Sequence, residues 1–171
     1  MYLASDVITI RQAKAAHELF MVNLLLFHLL MTPAAIVLGI GLWGLLLPLL
    51  LSLGVIAYSY LRSRQLLRAT PLRMLHWQLA MRRYRLLLIG YAVTALILLL
   101  GFLLSLGMQD ENMREIILTV ITRIGVVPLL LLVFILAFLE SSALSMAGNQ
   151  EVPDSLYAEY FSAAPEGESH A

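Results

Sequence analysis

Residues 19–61 read LFMVNLLLFHLLMTPAAIVLGIGLWGLLLPLLLSLGVIAYSYL, and none of them is charged. As one helix this stretch would reach about 65 Å at roughly 1.5 Å per residue, twice the ~30 Å hydrocarbon core of a bilayer. It therefore folds back once. Inside lipid the backbone must satisfy its own hydrogen bonds, which a helix does within one segment. The strand alternation of a membrane barrel is absent. Two places suit the turn. Gly39, Gly41 and Gly44 flank Trp43 and offer a flexible backbone beside an interfacial aromatic residue. Thr32-Pro33 offers an N-cap followed by proline at the first helical position. The length argument favours the glycines, giving spans of about 19–40 and 45–61, with Pro33 kinking the first.

Two further apolar runs follow, 86–107 and 116–139, the second containing Arg123 and Pro128. The fold class is then all-α: an integral membrane four-helix bundle of two transmembrane hairpins over residues 19–140. Composition agrees, with 61% hydrophobic and 13% charged residues, against about 25% charged in soluble domains. Residues 1–18 read as an N-terminal interfacial segment. The apolar stretch after Leu19 is too long for a signal peptide and is read as retained.

The connection 62–85 carries Arg62, Arg64, Arg68, Arg73, Arg82, Arg83 and Arg85 and no acidic residue. Thr70-Pro71 is a helix-start signal, and Leu72, Leu75 and Leu79 form one stripe beyond it. The expectation is a basic interfacial helix on the headgroups. Residues 141–171 change to Ser, Ala, Glu and Pro and read as a flexible acidic tail. Within it Leu156, Tyr157, Tyr160 and Phe161 repeat at helical spacing and mark a candidate docking stripe.

Arginine-rich short loops stay cytoplasmic. Loop 62–85 then sets both termini on that side and the turn 108–114 outside. One lysine against ten arginines, with this bias, points to a bacterial inner membrane. The loop arginines are candidates for contact with anionic lipid headgroups, with the acidic tail, or with a partner protein.

Chemistry-bearing residues are few. There is no cysteine, so thiolate chemistry and disulfides are excluded. Phosphate-loop, HExxH and serine-hydrolase motifs are absent, and no basic patch interleaved with aromatics points to nucleic acid. Ionisable or amide side chains at membrane depth are candidates by their desolvation cost alone. These are Asn23, His28 and Arg123. Glu115, Thr119 and Arg123 share one helix face; Arg123 either faces the bundle or snorkels to the interface. His17 and His28 lie eleven residues apart, on one face of a regular helix. His17, His28 and His76 are the candidate cofactor ligands. His28 has no histidine opposite it, whereas His17 and His76 share the arginine-rich boundary; no cofactor and no metal are predicted. The sequence thus favours a non-catalytic accessory, scaffold or assembly subunit with another membrane protein or a second copy as partner. The alternatives are a small oligomeric transporter or channel, and a haem- or quinone-binding redox subunit.

Overall fold

The computed structural model describes residues 1–161; the tail beyond, with Glu166, Glu168 and His170, lies outside the described residues, as do the side chains of residues 41–43. The described chain is helical. α1 covers Val7–Val37, α2 Gly41–Gln65, α3 Pro71–Leu106, α4 Glu111–Gly148 and α5 Asp154–Phe161. The first four are long and apolar enough to cross a membrane.

α1 starts where Asp6, in extended conformation, accepts the backbone N–H of Thr9. Hydrogen bonds from Thr9, the side chain first and the backbone second, hold the Asp6 carboxyl below its ordinary range. The helix runs from this cap straight through position 18, so the N-terminal segment and the first span are one element. Residues Asn23–Met31 widen into a π-helix. Pro33 supplies the reason. It donates no N–H, and its ring crowds the carbonyl four residues back. The wider register lets the Thr32 N–H and its hydroxyl both reach the Phe27 carbonyl, the hydroxyl at 2.9 Å. Thr32 and Pro33 therefore sit inside α1. The chain reverses at Gly39, where φ is +65°, a conformation glycine adopts without Cβ strain.

At roughly 1.5 Å per residue, the 36 residues of α3 and the 38 of α4 extend past 50 Å. Both outrun a bilayer core. The expected interfacial helix is the first third of α3, continuous with the span rather than laid along headgroups. Its apolar stripe finds protein instead of lipid: Leu72, Met74 and Leu75 pack with Ala13, Ala147, Val152 and Leu156. The expected tail begins later than residue 141, because α4 continues to Gly148. Ala143 and Ala147 are fully buried there. The Ser/Ala composition reflects close helix packing, not chain disorder.

α3 packs most extensively on α4, and α1 lies across both; α2 is the most peripheral of the four. At Gly101 α3 lies close against α4: a methyl group there would overlap Ile121. The bundle's surface changes along its length. Large apolar side chains are exposed throughout 86–106 and 113–139. Between Leu67 and Leu86 none is, and Leu72, Leu75, Trp77, Met81 and Tyr84 turn inward. At this arginine-rich end residues 1–3 run antiparallel to 150–152, with Leu3 N–H on the Gln150 carbonyl at 2.8 Å and Val152 N–H on the Met1 carbonyl at 2.9 Å.

Candidate functional site: a closed network of histidines and an acid

Three helices place one side chain each at the arginine-rich end of the bundle. His17 comes from α1, His76 from α3 and Glu140 from α4, and all three are fully buried. His17 Nδ1 lies 2.6 Å from Glu140 Oε2, and His17 Nε2 lies 2.8 Å from His76 Nδ1. The two rings meet edge to face. His76 Nε2 is 3.0 Å from the Glu151 carbonyl oxygen. Arg83 closes the other end, donating to Glu140 Oε1 and to the Leu139 carbonyl, each at 2.8 Å.

A carbonyl only accepts, so His76 Nε2 donates to Glu151. Each of the two remaining gaps holds one proton shared between its partners. Every polar side-chain atom of His17, His76 and Glu140 thus has a protein partner.

The Glu151 carbonyl is aimed by the end of α4. Glu151 N–H returns to the Met146 carbonyl at 2.8 Å and Gln150 N–H to Ala147 at 3.3 Å. This is a helix C-terminal motif that usually has glycine at the left-handed position. Here Gln150 occupies it at φ +61°. Its side chain accepts the Ser5 N–H at 2.7 Å, so contact with the N-terminal segment holds a conformation that a side chain disfavours.

Deeper in the bundle lie two smaller polar sets. Tyr84 stacks on Phe20, with centroids 3.9 Å apart, and is 3.4 Å from Ser59 Oγ. Farther along, Tyr91 OH is 2.5 Å from His28 Nε2 and 2.6 Å from Ser52 Oγ. Asn23 stands on the buried face of α1 between His17 and His28, and neither its oxygen nor its nitrogen has a partner.

The sequence-derived candidates are thus distributed as follows. His17 and His76 meet; His28 is a separate centre. Their nitrogens bond each other, whereas trans metal–nitrogen bonds of about 2.0 Å hold two ligands about 4 Å apart; this pair leaves no room for a haem iron. Among the described residues no group of three or more His, Asp or Glu side chains is arranged to hold a metal ion. Arg123 is exposed on α4. Of the loop arginines, Arg83 turns into the core and Arg82 pairs with Glu159 of α5. Arg62 donates to Gln65, Arg64 lies over the Tyr60 ring, Arg73 is half-buried, and Arg68 and Arg85 are exposed. In α5 Leu156 is buried and Tyr157 partly so, while Tyr160 and Phe161 are exposed.

Glu140, Tyr91, Ser52, Ser59 and Tyr84 are site residues that sequence reasoning passes over. One signal was available for four of them. Tyr84 and Tyr91, like Ser52 and Ser59, are seven residues apart in otherwise apolar spans, the spacing that keeps polar groups on one bundle-facing seam.

Comparison with known proteins adds no identity: no family model matches the chain, and no curated protein and no solved structure is significantly similar to it.

Proposed function

We propose that this chain is a non-catalytic, multi-pass protein of the bacterial inner membrane, with both termini cytoplasmic, serving as an accessory or scaffold subunit of a larger membrane complex. The observation that carries this reading is the closure of the His17–His76–Glu140–Arg83 network. Every nitrogen and oxygen of the His17, His76 and Glu140 side chains is engaged by protein and sealed from solvent, with the partly exposed Arg83 at the rim. Such a cluster braces three helices against one another. A catalytic acid or base needs instead a free position within reach of substrate.

The braced end carries the features a partner would use. Arg64, Arg68 and Arg85 are exposed around it, with Arg62 partly so, and Tyr160 and Phe161 leave an exposed aromatic edge on α5. Aromatic residues and arginine are enriched in protein interfaces. Arginine side chains near an anionic leaflet also add about 1 kcal/mol each of attraction to the surface, which fits the positive-inside orientation.

Purification of the tagged full-length chain in mild detergent is expected to bring down a stoichiometric membrane partner. The double substitution Tyr160→Ala/Phe161→Ala should weaken that association while leaving the monomer's elution unchanged. A monodisperse lone protein, with no partner trapped by crosslinking in intact membranes, removes the reading.

An oligomeric transporter or channel is the second reading, favoured by the unpartnered Asn23 amide in the bundle core. Solute flux into proteoliposomes that is lost in Asn23→Leu would support it; equal flux in both would remove it.

A further inference from the structure

A cavity of about 390 Å³ lies among α1, α2, α3 and α4, within the range typical of small-molecule sites. Its wall is apolar, built from leucines such as Leu45, Leu49 and Leu98. Four polar residues interrupt it: His28, Thr32, Tyr91 and Thr94. Thr32 donates to the Phe27 carbonyl within α1, and His28 and Tyr91 engage each other. Tyr91 OH, Ser52 Oγ and His28 Nε2 form one hydrogen-bonded cluster. Thr94 is different. It is 8% exposed, and its hydroxyl has no hydrogen-bond partner.

Depth defines what reaches that hydroxyl. His28 is eleven residues from the Gly39 turn, about 16 Å at the α-helical rise. Thr94 is thirteen residues before Gly107, about 20 Å. Half of a bilayer core is about 15 Å, so the cavity sits near the mid-plane. A phospholipid headgroup cannot go there, because burying its charge is too costly. An acyl chain fits but brings no acceptor, leaving the hydroxyl unpaired. A lone water is poorly held, since buried water needs two to four polar partners and the wall is mostly apolar. The remaining requirement is a neutral, largely apolar molecule, resident in the membrane, carrying a carbonyl.

We infer that this cavity binds an isoprenoid quinone, one ring carbonyl accepting from the Thr94 hydroxyl and the ring lying against His28 and Tyr91. The isoprenoid chain lies along the leucine wall toward lipid. The inference stands independently of the accessory role proposed above, because it concerns a different layer of the bundle and needs no partner protein.

The test uses the full chain in detergent, titrated with decylubiquinone and followed by equilibrium dialysis. A saturable site of one quinone per chain is expected. Thr94→Val, which keeps the shape and removes the donor, should weaken binding about 2- to 10-fold, the effect of one hydrogen bond. Thr94→Ser should restore it. Ala95→Leu, which fills the cavity, should abolish saturable uptake. If Ala95→Leu fails to fold, the valine and serine pair still decides the matter. Non-saturable uptake, or affinity equal in wild type and Thr94→Val, overturns the proposal, as does photolabelling by an azidoquinone outside α1–α4.

Discussion

The two ends of the same helices obey different rules. At the arginine-rich end, apolar side chains turn inward, Arg64, Arg68 and Arg85 are exposed, and the buried histidines and Glu140 are fully paired, with only the Arg73 Nε buried and unpartnered there among the described residues. In the apolar band, leucines cover the outside, and the buried side chains of Asn23 and Thr94 have no protein partner. The solvent explains the contrast. Water rewards removal of apolar area, at about 25 cal/mol per Å². Lipid tails offer no such reward, so helices there associate through close packing and hydrogen bonds. Gly101 against Ile121 is the first device, and Ser52–Tyr91–His28 the second.

The largest effect is expected at Glu140. Glu140→Ala leaves His17 and Arg83 without the carboxyl group they share, and loss of one partner from a buried pair costs about 3–5 kcal/mol. Thermal unfolding in detergent should show a large fall in midpoint. The lipid-facing Leu131→Ala, 60% exposed in the structure, should change it little. Equal shifts would mean that the polar end does not organise the bundle. Next in size is Leu156→Ala. Truncating a buried leucine costs about 2–5 kcal/mol, here concentrated in the short α5. The expected readout is rapid proteolysis after residue 150 with the apolar band still protected. The smallest effect belongs to Arg82→Ala. Its pair with Glu159 is half exposed, and such pairs contribute about 0–1 kcal/mol. A shift in midpoint as large as that of Leu156→Ala would show that α5 is held by charge rather than by its leucine.

The four apolar helices are legible in the sequence because the signal is local: length and hydropathy within one segment. The same arithmetic puts the first reversal among the glycines, between residues 40 and 45; it falls a little earlier, at Gly39, and residues 41–44 already belong to α2. The network is a different kind of fact. Nothing in the neighbourhood of His17 says that its face meets those of His76 and Glu140, since that depends on how three helices rotate against each other. Glu140 was hidden a second way. Hydropathy ends the fourth span at residue 139, so the acid falls at the margin and looks solvated. The Ser/Ala run after it has the composition of a tail, although Ala143 and Ala147 are packed solid. The basic stretch 71–85 shows its amphipathic stripe plainly, but a stripe does not say whether protein or lipid will cover it.

The π-helical stretch Asn23–Met31 bears on how this chain tolerates change in length. Each π residue turns by less than the 100° of an α-helix, so the stretch resets the phase of everything after it. His17 therefore looks toward α3 and α4, whereas His28 has swung to partners on α2 and α3. A segment wound this loosely holds slack. Deleting one leucine between residues 24 and 26 lets the helix tighten to α register instead of breaking. The tighter turn of the remaining residues makes up the rotation of the one removed, so the segments before and after the stretch keep their faces, and only His28, inside it, shifts against Tyr91 and Ser52. A helix elsewhere in the bundle has no such reserve, and the same deletion would carry its whole downstream face out of the core.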